Sequence, residues 1–124
     1  MPGNWKHLLR IAQEEVVATL ESLPAELLAR ARQVPVTFEP MPSAELVADG
    51  VEPDTLGLFD GEAYPDALTG GPLPAHITLY LENLWSFADA DEATYREELR
   101  TTFLHELGHY LGLDEEDLEQ RGLE

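Results

Sequence analysis

Residues 101–117 read TTFLHELGHYLGLDEED and hold two of the four histidines in the chain, His105 and His109, with Glu106 directly after the first. On a helix, residues four apart are neighbours with Cβ atoms about 5–6 Å from each other. Two imidazoles at that spacing can converge on one ion, with Zn–N distances of about 2.0–2.1 Å. Glu106 is turned about 100° away from His105, so it does not share the same ion easily. It can reach a water bound to that ion. Two ligands and a base on one rigid helix are what metal-assisted hydrolysis requires. The competing reading is an acidic helix that carries two histidines by chance.

The residues after His109 add to the pattern. Gly112 falls where the helix should stop, and glycine is the usual left-handed terminator. Leu113 could then fold back onto Leu107, a contact that often accompanies such caps. The chain reverses and returns the acidic run DEED (114–117) toward the histidines, so a third ligand is at hand. Gly108 costs about 1 kcal/mol in a helix interior relative to alanine. Its expected reason is the close approach of another backbone.

Composition narrows the chemistry. There is no cysteine among the 124 residues. Disulfides, thiolate zinc sites and a cysteine nucleophile are therefore excluded, and a zinc site must use imidazole and carboxylate. Seven basic and 25 acidic residues give a formal net charge of −18. Phosphate backbones and anionic membrane surfaces should be repelled, so neither nucleic acid nor membrane is expected as a partner. Cations should be attracted. The N-terminal MPGNWKHLLR has no apolar run of signal-peptide length, and no stretch is long and apolar enough to span a bilayer. The expectation is a cytoplasmic protein. The length suits a single domain over 1–124.

The histidines need a scaffold, and the pattern supplies one. Apolar residues Leu8, Leu9, Ala12, Val16 and Leu20 recur at helical spacing behind Asn4, a fair N-cap. Pro24 suits the first turn of a short second helix over PAELLARAR. VPVTFEP (34–40) reads as a strand between prolines. The region 41–74 is rich in Pro, Gly and Asp, with a helical turn over SAELVA and a short strand in TLGLFDG. HITLYLENL (76–84) alternates, with Ile77, Leu79 and Leu81 on one face and Thr78, Tyr80 and Glu82 on the other. It is expected to be a half-buried strand and the best candidate for an exposed sheet edge. Asp89 or Asp91 opens the last long helix, which runs to about Leu111. Around that helix Leu99, Phe103, Leu104, Leu107, Tyr110 and Leu111 form a broad apolar arc, with both histidines on the polar side. The order gives an α+β fold with helices packed on a small sheet.

HELGHYLGL followed by acidic residues resembles the small bacterial zincin-like metallopeptidases, or minimal zincins, whose motif is H-E-x-x-H-x-x-G-x-x-D. The N-terminal helix, the SLPAELL break, the VPVTFE strand, the LGLFDG segment and ITLYLENL also look like that family's order. The resemblance implies a compact α+β fold in which His105 and His109 bind zinc and Glu106 is the general base. It names no substrate. At the family's aspartate position this chain has Glu115, with Asp114 one residue earlier. Register favours Glu115 as third ligand, and Asp114 suits the N-cap of a last short helix over EEDLEQRG. Metzincins of the methionine-turn type do not fit, since Met1 and Met41 both precede the motif.

The leading expectation is thus a zinc-dependent peptidase acting on a peptide or protein substrate. The alternative is a non-catalytic, metal-stabilised binding or regulatory module on the same fold. Tyr80, Tyr110 and His76 are candidates for the oxyanion partner, though each has a plainer structural role. His7, on the first helix, is expected simply to be exposed.

Overall fold

A computed structural model describes residues 4–60, 75–113 and 116. Two sequence expectations fall outside them: Asp114 and Glu115 as alternative third ligands, and the last short helix over EEDLEQRG.

The described chain is α+β, with five helices and a three-stranded mixed sheet. Helix α1 (Trp5–Glu21) starts where the Asn4 side chain accepts a hydrogen bond from the His7 amide, and it buries Leu8, Ile11, Ala12, Val16 and Thr19. Helix α2 (Ala25–Ala31) follows Pro24. Strand β1 (Val36–Glu39) leads to α3 (Ala44–Ala48), N-capped by Ser43, and then to β2 (Gly57–Asp60). Strand β3 (His76–Tyr80), α4 (Leu81–Phe87) and α5 (Glu92–Leu111) complete the order.

The sheet order is β1-β3-β2. β3 runs parallel to β1 and antiparallel to β2. Cross-strand partners share a face, so the register divides the side chains into two sets. Val36, Phe38, Gly57, Phe59, Ile77 and Leu79 face the helices. Thr37, Glu39, Leu58, Asp60, His76, Thr78 and Tyr80 face the other way. The core lies between the first face and α1, α2, α4 and α5, with Ile77 and Leu79 fully buried.

HITLYLENL is not one strand, nor an edge. The strand ends at Tyr80, and Leu81 begins α4. Leu81, Leu84 and Ala88 reach the core at helical spacing, which overlaps the strand alternation at Leu81. β3 is the central strand, and its second face is covered too: Thr78 and Tyr80 are buried. Among the described residues the sheet edges are β1 and β2.

Helix α5 is the spine of the fold, packing against α1, α2, α4, β2 and β3. Its apolar arc is buried as its spacing predicts. The Tyr95 hydroxyl donates to the Leu8 carbonyl at 3.0 Å and the Tyr95 ring meets Trp85 edge-on, which ties α5 to α1 and α4. Burial pushes the Tyr95 phenol pKa well above its usual range. Arg96 pairs with Glu15 at 2.9 Å and Glu14 at 3.2 Å. His7 belongs to the same seam rather than to open surface. It is half-buried and bonds Glu92 at 3.0 Å and Arg10 at 3.1 Å. Among the described residues, no helix is long and apolar enough to cross a membrane.

Candidate metal centre

The local sequence of α5 determines how it begins and ends. Asp91 accepts hydrogen bonds from the Thr94 amide at 2.9 Å and the Thr94 hydroxyl at 2.7 Å. These bonds hold the Asp91 carboxyl pKa below its usual value. At the other end Gly112 adopts φ +73°. Its amide bonds the His109 carbonyl, and the Leu113 amide bonds the Gly108 carbonyl at 2.7 Å. This is the paired hydrogen-bond pattern of a Schellman cap. Leu113 packs, partly buried, on the core cluster that includes Leu107.

His105 and His109 both lie exposed on the outer face of α5. Their ring centroids are 4.8 Å apart with an interplanar angle of 53°. The pair sits in the last two turns of the helix, where the negative end of the macrodipole favours a cation. Glu106 is half-buried, turned from the histidines toward β2.

Strand β2 makes this arrangement possible, through two residues that the motif does not reveal. A Cβ on Gly57 would stand 2.7 Å from Thr102 Cγ2 and 3.3 Å from Glu106 Cγ. Only a glycine lets the strand lie this close to the helix. Gly108 is buried. Two residues on, Phe59 packs edge-on against His109, with ring centroids 6.5 Å apart, and tilts against Tyr110 at 6.1 Å. The signal was present in LGLFDG, since an isolated glycine within a strand marks close backbone approach. β2 is also a sheet edge, and no described residue pairs with its outer side.

The other side-chain candidates separate by face. Tyr80 and His76 project from the far side of the sheet, away from the histidines. Tyr110 is buried in the core. None of the three shares the outer face of α5 with His105 and His109.

The donor set suits a borderline metal such as zinc. Two imidazoles on one helix can converge on an ion, and the chain has no cysteine to compete for it. Among the described residues no third His, Asp or Glu joins them.

These features agree with what known proteins show. The chain matches the model of the zincin-like metallopeptidases over residues 31–123, from the end of α2 through the histidine helix and beyond. The chain belongs to this family. No curated protein matches it.

Proposed function

We propose that the chain, acting as one domain over 1–124, is a zinc-dependent peptidase, with the metal held by His105, His109 and Glu115. The observation that carries the reading is the seating of H-E-x-x-H. Both imidazoles share the exposed face of α5, and Glu106 lies against the edge strand β2 at Gly57. Family membership supports the reaction class. Register within the family motif supports Glu115.

Bound zinc would supply a Lewis acid for the scissile carbonyl and would activate the attacking water. The protein supplies the rest. Glu106 takes a proton from that water and returns one to the leaving amine. An extended peptide pairs with the outer edge of β2 through backbone hydrogen bonds, which brings its chain past Glu106 and His109. Phe59 holds the His109 ring from the side.

Elemental analysis of the wild type, His105→Ala and Glu106→Gln, followed by a peptide-library cleavage screen, tests this. The expected result is about one equivalent of zinc in the wild type and in Glu106→Gln, none in His105→Ala, and cleavage by the wild type alone. A wild type that takes up zinc but cleaves nothing would instead be the metal-stabilised module. No zinc uptake from excess metal sinks both readings.

A further inference from the structure

The second face of the sheet carries a pocket that the hydrolase reading does not use. It has a volume of about 370 Å³ and lies on the far side of the sheet from the histidines. That is the size of a site for a molecule about as large as an amino acid.

Its chemistry is sorted by depth. Tyr80 and Thr78 are buried in the floor, at 2% and 7% exposure. Neither hydroxyl bonds another group among the described residues, and neither oxygen is sealed from solvent, so both are open to a ligand or water in the pocket. Glu39 and Asp60 stand exposed at the rim, on the two strands that flank β3. Burial, and then the charges of Asp60 and Glu39, raise the Tyr80 phenol pKa, so the hydroxyl and both carboxylates act on one space. Met41, Leu46 and Leu58 add apolar wall.

Two carboxylates, two unpartnered hydroxyls and an aliphatic wall are complementary to a cation carried on a hydrocarbon stem. A bare metal ion fits poorly, since no three ligating side chains converge among the described residues. An anion would meet both carboxylates. The net charge of −18 draws cations toward the whole surface, and here acceptors and apolar wall line one volume.

We propose that this pocket, floored by Tyr80 and Thr78 and rimmed by Glu39 and Asp60, binds a guanidinium or alkylammonium group on an aliphatic stem. The group can belong to a free small molecule or to an arginine or lysine side chain of a polypeptide. The inference is independent of the hydrolase reading, because it needs neither the histidines nor a metal.

The test is an amide NMR titration of the full chain in chelator with n-butylguanidinium, n-butylammonium and the neutral n-butylurea. The expected result is saturable shifts at Thr37, Leu58 and Thr78 with the two cations and none with the urea. Glu39→Gln/Asp60→Asn should weaken binding at least tenfold. Glu21→Gln/Glu97→Gln removes the same charge from exposed helix positions and should leave binding unchanged. Equal loss in both double variants, shifts that never saturate, or equal binding of the urea would overturn the proposal. Tyr80→Phe, which keeps the ring and deletes the hydroxyl, should weaken binding with the fold intact. Unchanged binding in that variant also counts against the proposal. A capped alanine peptide with one arginine separates the sources. Affinity at least tenfold above butylguanidinium assigns the pocket to a polypeptide side chain, and equal affinity assigns it to a free cation.

Discussion

Gly57 and Glu106 touch across the seam between β2 and α5, with space for a hydrogen at position 57 and nothing larger. A Cβ there would lie 3.3 Å from Glu106 Cγ and only 2.7 Å from Thr102 Cγ2. Gly57→Ala must therefore displace the Thr102 side chain or push strand and helix apart. Overpacking of this kind costs about 1–3 kcal/mol, so a clear drop in melting temperature is expected. Thr102→Ser removes the methyl in the closest clash and should recover part of the loss in the double variant. A Gly57→Ala protein as stable as the wild type would show that the contact is not tight. If the peptidase reading holds, the variant should also lose turnover beyond its loss of zinc, because Glu106 moves relative to the edge strand.

The cap on α5 gives a pH prediction. Hydrogen bonds from Thr94 hold the native Asp91 pKa below its ordinary value of 3.8. A depressed carboxylate pKa contributes stability that is fully present above the unfolded value and is lost as pH falls through the native one. Asp91→Ala should therefore melt below the wild type at pH 6. The gap should narrow as the pH falls past 3.8 and close once the native carboxyl is protonated. Glu14, lowered by Arg10 and Arg96, has the same sign. A gap that stays constant down to the acid limit would mean the cap acts through the neutral form.

The histidine helix was the most legible part of the chain, because its signals are local and agree with one another. Asp91, the apolar arc and Gly112 all specify one element, and a helix of 20 residues leaves little ambiguity. The strands were harder. In HITLYLENL, Leu81 satisfies the core whether the chain continues as a strand or turns into a helix, Leu84 does so only in the helix, and nothing local ends the strand at Tyr80. Burial of Tyr80 and Thr78 depends on strand order, which the alternation does not encode. The part played by Gly57 is a tertiary contact with Thr102 and Glu106, far along the chain. The sequence reveals the glycine but not what it meets.

Two backbone positions should respond with opposite signs. Gly112 sits at φ +73° with open space where a Cβ would go. Gly112→Ala thus tests conformation alone and should cost about 1 kcal/mol. Ala90, between α4 and α5, already carries a side chain at φ +59° and is exposed. Ala90→Gly relieves that strain, partly offset by the added freedom of the unfolded chain, for a net gain of roughly 0.5 kcal/mol. Urea denaturation resolves both changes. Effects of the same sign in the two variants would contradict the left-handed assignment at one of them.

Phe59 is the side chain through which β2 can act on metal binding without touching the metal. Its ring meets His109 edge-on at a centroid distance of 6.5 Å and also tilts against Tyr110, which is anchored in the core. If His109 holds the metal as proposed, this contact limits how far its ring can turn and so favours the ligating orientation. Phe59→Ala leaves both histidines in place but frees the His109 ring, so zinc affinity at the proposed site should fall, by less than the about tenfold or more that loss of a hydrogen-bonded outer partner costs. Competition with a chromophoric chelator measures this directly. Melting of the metal-free protein reports the packing loss separately, and Phe59→Leu serves as a control that keeps apolar bulk without the aromatic edge. Wild-type zinc affinity in Phe59→Ala, together with a lowered metal-free melting temperature, would reduce the ring contact to packing. A fall in affinity in both variants, larger than either loss of stability explains, would make the edge strand part of the metal centre.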